Sequence, residues 1–281
     1  RIIGGQGYDT LIGDSTADLT WNLTAENAGD VAGVSFSGFE ILEGGADNQD
    51  TFNFAQGAGL SGYVEGGDGG FDTVVLTGSY NEVQSVATGD DSGILTLDGT
   101  DLIFDGMEPI VFNGTLGVYT YEGTSGNDSI LITPDSPGQF KIDGVGETIV
   151  LTSVDELLID GLAGSDIVTF NSGEIAFGGA DVEVRAESIN IESTASLTGL
   201  GSLILNSIDS NSFTGTTSPA GTSLLASISV LGGITAVGDL KINSTVNNSI
   251  DLDSTSTLDN LNVDATTSAT AIIGSSATIT A

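Results

Sequence analysis

Residues 4–12 read GGQGYDTLI, and their types and spacing are those of a loop that could hold a hard cation. Gly4, Gly5 and Gly7 permit the tight, left-handed backbone in which carbonyl oxygens turn inward, and Asp9 adds a carboxylate. Leu11 then begins a short strand with its side chain directed into a core. The stretch satisfies every fixed position of the nonapeptide GGxGxDxUx, with U a large apolar residue. The next nine residues, GDSTADLTW, keep Gly13 and Asp18 in register but lose the other glycines. Oxygen ligands of this kind suit calcium. A Gly-Asp turn that hydrogen-bonds only its own backbone needs the same residues and stands as the alternative.

The elements that must position these groups are short strands. Apolar residues alternate at period two, turn residues break the run every few positions, and helix signals are nearly absent. Trp21 and Leu23, Val34 and Phe36, and Phe39 and Ile41 read as strands joined by Gly and Asn turns. The opening loop then returns in altered form. In GGADNQDTFNF, Asp50 takes the place of Asp9 and Phe52 that of Leu11, and in EGGDGGFDTVVL the same places fall to Asp72 and Val74. Asp50 and Asp72 lie 22 residues apart, a plausible single coil, so the two could stack. Later echoes put Asp128 before Ile130 and Asp166 before Val168; an Asx-turn is an equal reading of both. ILTLDGTDLIF (94–104) reads as two apolar strands turning at Asp98-Gly99, Pro109 suits a strand edge or corner, and Asp90-Asp91 reads as a solvated turn. Trp21 could stack on a sugar, although a lone Trp at strand spacing more often belongs to a core.

With 41 Gly, 39 Asp and Glu, 4 Lys and Arg, and neither Cys nor His, the 281 residues carry a net charge of −35. A 39% apolar content is too high for an acidic disordered tail and calls for a packed core. The charge disfavours nucleic acid and anionic membranes, and it opposes compaction unless cations condense on it. The absence of Cys excludes disulfides and thiolate metal sites. No apolar run approaches the ~18 residues of a membrane helix, and no signal peptide is recognisable.

Composition changes near Asp181: 30 of the acids lie at or before it and 9 after, and Phe213 is the only Phe or Trp beyond it. Ser, Thr, Ala and Asn then separate apolar pairs spaced two apart: Val182/Val184, Ile189/Ile191, Leu203/Leu205, Ile228/Val230, Leu240/Ile242, Ile250/Leu252 and Leu261/Val263, followed by Ile272. Strand and turn alternate with no helix between, the rhythm of a parallel β-helix. Asn22 and Asn243 head N-x-S/T sequons. The expected organisation is an all-β parallel β-helix or β-solenoid with cation-binding loops in its first half. Its parts are a solenoid over 1–115, further coils over 116–180, and a Ser/Thr-rich β-helix over 181–281. Burial of four or five aliphatics per coil, at ~1.5–3 kcal/mol each, falls short of an ordering cost of ~1–2 kcal/mol per residue. Such a coil therefore persists only when stacked.

The nonapeptide loop resembles the RTX (repeats-in-toxin, haemolysin-type calcium-binding) family. The succession FEILEGGADNQDTF, EGGDGGFDTVVL, GMEPI, GTSGNDSI and GLAGSDIVTF, over about residues 1–180, looks like giant secreted bacterial surface proteins with β-strand repeats and degenerate RTX loops. The last hundred residues resemble the β-helical shafts of filamentous-haemagglutinin-type adhesins in texture. The resemblance implies calcium bound by Gly4, Gly5, Gly7, Asp9 and Asp18, with Asp50, Asp72, Asp128 and Asp166 as further ligands, and type I export to the cell surface. The expected function is a calcium-stabilised segment of an adhesin shaft, extracellular filament or matrix. Its ends would meet other copies or the rest of a longer chain, because neither has a recognisable cap.

Two other classes remain in view. An adhesive module would recognise surface glycans or a host surface, and a concave cluster of exposed aromatics would favour it. A β-helical polysaccharide-active enzyme would be favoured by a Lys or Arg beside two carboxylates. Lyase or epimerase chemistry requires a base and a cation. With no His, and with Arg1, Lys141, Arg185 and Lys241 far apart in sequence, a non-enzyme is expected.

Overall fold

The computed structural model describes residues 1–192 and 194–206 in full, then the backbone of Ser207 and of eight strands between Ser227 and Thr280. Expectations that fall on residues 208–226 and 274–277, Phe213 among them, and on the third residue of the Asn243 sequon lie outside the described residues. The described residues form an all-β protein with no helix. They divide into two compact units, residues 1–117 with 146–152 and residues 118–145 with 153–281. The change of composition at Asp181 falls inside the second.

In the first unit, alternation of apolar and polar residues produces strands whose side chains are alternately buried and accessible, as in Thr51–Phe54 and Thr20–Ala25. These strands stack in parallel. Trp21 lies beside Phe52 and Phe52 beside Val74, while Leu11, Leu42, Val64 and Phe104 make a second column. Every member named except Leu11 is buried. Trp21 belongs to this core: it is fully buried, stacked on Phe52 at 5.3 Å between ring centroids and met edge-on by Phe36 at 6.1 Å.

Two antiparallel excursions interrupt the parallel path. Thr20–Ala25, Ala28–Val31 and Val34–Ser37 fold as one meander, and Thr73–Gly89, Ser92–Leu97 and Thr100–Asp105 as another. The second turns at Asp98-Gly99, as its sequence requires: both residues take positive φ (47° and 83°), and the Asp98 carboxylate accepts the N–H groups of Asn81 and Glu82.

In the second unit three columns of parallel strands run side by side in the chain. One passes from Val154–Asp160 through Asp181–Ala186, Leu203–Ser207 and Asp239–Ser244 to Asn260–Ala265. Another runs from Ser129–Pro134 through Ile167–Phe170, Ser188–Ile191, Ser227–Val230 and Asn248–Leu252 to Ala269–Ile273. The third is a five-stranded sheet from Gly173–Ala176 to Thr278–Thr280. The apolar pairs of the sequence fall in register: Leu203 with Leu240 and Leu261, and Ile189 with Ile228 and Ile250. The register departs from expectation at Ile272, which lies opposite Asp251, whereas Ala271 lies beside Ile250.

Candidate functional site: the carboxylate rows

The parallel columns bring the expected ligand residues into two rows, one in each unit. In the first, Asp18 Oδ1 accepts the Gln49 N–H at 2.9 Å, Asp50 Oδ1 accepts the Leu19 N–H at 2.6 Å, and Asp72 Oδ1 accepts the Asp50 N–H at 2.7 Å. In the second, Asp166 Oδ1 accepts the Asp128 N–H at 2.9 Å and Glu187 Oε2 accepts the Asp166 N–H at 2.8 Å. Asp9 keeps different company from Asp18: its own N–H donates to Glu40 Oε2 at 2.9 Å. The spacing of nine residues between Asp9 and Asp18 is therefore not the layer spacing. Hydrogen-bonded partners in adjacent layers stand 21, 22, 31 or 38 residues apart.

Three of the aspartates also close their own loops. Asp9 Oδ2 accepts the Gly5 N–H, Asp50 Oδ2 the Gly45 N–H and Asp128 Oδ2 the Thr124 N–H. At the corner where a strand begins, the ladder has no carbonyl ready for these donors, and the carboxylate supplies the acceptor. Charge-assisted bonds of this kind are about twice as strong as neutral ones. Asp50 and Asp166 are completely buried, and Asp72, Asp128 and Glu187 nearly so.

The glycines serve a purpose the sequence concealed. Of Gly4, Gly5 and Gly7, only Gly7 has positive φ (133°). Gly4 is required because layers approach closely there: a Cβ on it would lie 1.7 Å from the Gly38 carbonyl oxygen. At Gly44 the corresponding distance is 2.1 Å to Gly66 O, and at Gly66 it is 2.2 Å to Gly106 O. The Gly44→Ala variant accordingly loses about 2 kcal/mol or more of stability. Gly59→Ala, where a Cβ would meet nothing within 4 Å, changes it little; equilibrium urea unfolding of the two variants reads the difference.

Calcium takes six to eight oxygen ligands, and in this structure the buried carboxylates carry hydrogen-bond donors. Asp50 faces three donors, the third being Asn48 Nδ2 at 3.1 Å. Asp128 faces the Thr124 amide and hydroxyl. Such a donor shell suits the carboxylate's own charge and opposes a cation. Among the described residues no three Asp or Glu converge as a metal-holding group. The more accessible carboxylates are differently placed: Asp18 is exposed and Asp9 half-buried. Glu43, Glu65 and Asp105 stand in register on neighbouring parallel strands. Partial burial, followed by the charges of Glu43, Asp105 and Asp68, holds the Glu65 carboxyl above its ordinary range.

Three buried carboxyls are shifted further. Burial raises Asp72 to about 6 against the lowering influence of its bond from Asp50, with the Asp50 and Asp18 charges adding to the rise. Burial, chiefly, raises Asp166 to about 7, and Glu187 and Asp128 push the same way. Asp166 Oδ2 is buried with no hydrogen-bond donor among the described residues. Glu147, 2% exposed, is raised to about 7 by burial; Ser85 Oγ lies 3.4 Å from its Oε1, and Oε2 has no partner.

Glu40, Glu147 and Glu187 do not fit the loop motif, because their loops lack its glycines. A simpler signal covers them: an acid, any residue, then apolar residues at alternate positions. It is complete in DTFNF, DTVVL, DSILI, ETIVL, DIVTF and ESINI, while DTLI and EILE keep only its first apolar position. Lys141 pairs with Asp143 at 3.2 Å, and Arg185 pairs with both Asp160 (3.3 Å) and Glu183 (2.7 Å). No protein-family model, curated protein or solved structure matches the chain.

Proposed function

We propose that the protein is a structural β-solenoid of an extracellular or cell-surface assembly, an adhesin shaft, filament or matrix element, with no catalytic role. The observation that carries this reading is the parallel register within each unit, in which the Asp50, Asp72, Asp166 and Glu187 carboxylates accept backbone N–H groups of an adjacent layer. A solenoid built this way is quasi-one-dimensional, each coil stabilised by its neighbours. Its product is rigidity.

Calcium enters as a counter-ion on the accessible acidic rows rather than as an occupant of the buried ones. Repulsion along Glu43, Glu65 and Asp105 opposes stacking, and a divalent ion bridging such a row relieves it. Titration with calcium at low ionic strength is expected to raise the thermal midpoint and increase amide protection over residues 41–68, with little change over 181–206. Equal effects of calcium and of sodium at matched ionic strength, or no effect of either, would defeat this part of the reading.

A second reading, a β-helical polysaccharide-active enzyme, draws on Arg185 beside Asp160 and Glu183. Both carboxylates are engaged by the guanidinium, which is the arrangement of a bridge between strands and leaves neither free as a base. For a glycan-binding module, the exposed aromatics Tyr8 and Phe71 would have to form a common face.

A further inference from the structure

We propose that the cleft between the turn at residues 55–60 and the Asp98-Gly99 hairpin is a binding site for a small aliphatic amine. The cleft has a volume of about 420 Å³, within the range of small-molecule sites. Its floor is apolar, formed by Leu60, Tyr80 and Leu102, which are 5%, 8% and 2% exposed. Its rim carries the carboxylates of Glu26, Asp98 and Asp101, and no Lys or Arg lines it. An apolar stem with a cationic head matches such a floor and rim.

Two further observations point to a ligand. Tyr80 is more than nine-tenths buried and lines the cleft, and among the described residues its hydroxyl has no hydrogen-bond partner. Burial and the nearby Asp98 charge hold this phenol in its protonated form, so it has a proton to donate and a lone pair to accept an ammonium N–H. The exposed Glu26 carboxylate makes no hydrogen bond or ion pair among the described residues, while its backbone bridges to Gly59 beside the cleft.

The same geometry excludes simpler occupants. Glu26, Asp98 and Asp101 do not converge on a point where one metal ion could sit. Two of them are already engaged, Asp98 by the Asn81 and Glu82 amides and Asp101 by the Thr96 hydroxyl at 2.8 Å. A larger cation that spreads its N–H groups over the rim meets all three without displacing those bonds. A sugar would need an accessible aromatic face, and the Tyr80 ring is packed into the floor.

The test is calorimetric titration of the full chain with 1,5-diaminopentane, with pentane-1,5-diol as the uncharged counterpart and amide chemical shifts to locate the contact. Saturable binding of one diamine is expected, with shifts confined to residues 55–60, 80 and 97–102, and no binding of the diol. Glu26→Gln and Tyr80→Phe should each weaken it about fivefold or more, as loss of one hydrogen bond to a charged group requires. Non-saturable uptake equal in wild type and variants would reduce the effect to counter-ion condensation and overturn the proposal. Diol binding as tight as diamine binding would overturn it too. The diol and chemical-shift measurements use the unaltered protein, so they decide between these outcomes even where a variant fails to fold.

Discussion

Replacing Asp50 by alanine is expected to destabilise the first unit by about 3–5 kcal/mol, the cost typical of breaking a buried, hydrogen-bonded charge. The carboxylate is fully buried and joins three segments: the Leu19 amide of one layer, the Gly45 amide of its own loop, and the Asn48 side chain. Alanine leaves the Leu19 and Gly45 amides without this acceptor and leaves Asn48 Nδ2 with only the Ala17 carbonyl, and unsatisfied buried donors are the expensive part of such a loss. Asp50→Asn, which keeps one oxygen, should lose roughly half as much. Asp14→Ala is the control: that carboxylate is exposed and bonds only to Thr16, two residues away. Urea unfolding followed by the fluorescence of Trp21, the single tryptophan, reports on this unit directly. A midpoint for the Asp50→Ala variant equal to that of Asp14→Ala would show that the row carries no structural load.

Acidification from pH 8 to pH 5 is expected to stabilise the protein, the reverse of ordinary acid denaturation. Asp72, Asp166 and Glu147 titrate in the folded state near 6, 7 and 7, against ordinary values of 3.8, 3.8 and 4.5. Between the two values of each group the folded chain holds a proton that the unfolded chain has released. Stability therefore falls as pH rises from about 4 to about 7 and levels off above that. Each fully shifted group contributes on the order of 3 kcal/mol across its window.

Net charge acts in the same direction, so a neutral isostere is needed to separate the two. Glu147→Gln should be more stable than wild type at pH 8, by about 1–3 kcal/mol, since the new amide gains hydrogens that need acceptors. The two proteins should converge near pH 4, where Glu147 itself is protonated. An unchanged difference across that range, or a variant less stable at pH 8, would rule out a buried carboxyl held neutral at this position.

The strand content was legible because it depends on a local rule. Inward and outward positions alternate along any half-buried strand, so DTFNF and DSILI reveal their strands without reference to the rest of the chain. The hairpin at Asp98-Gly99 was equally legible, since both residues accept positive φ. The step of 22 residues between Asp50 and Asp72 was visible as a repeat of the loop phrase. Glutamate at the same corner, at positions 40, 147 and 187, was not legible from the loop phrase, because only an acid-x-apolar pattern extends to all three positions.

What the chain by itself determined is thus the class of structure, the faces of its strands and the acidic corners, all consequences of residue type at short range. Tertiary structure decided which corners meet. Asp50 stacks on Asp72 after 22 residues, but Leu19 reaches Asp50 across 31, because the meander from Thr20 to Ser37 intervenes. It also decided that Gly4 and Gly44 are small for the sake of the neighbouring layer, and that the carboxylates face backbone N–H groups. The physical reason is the same in each case. A carboxylate's partner is whatever the adjacent layer places a few ångströms away, and that depends on the length and path of every intervening loop, which local spacing does not encode.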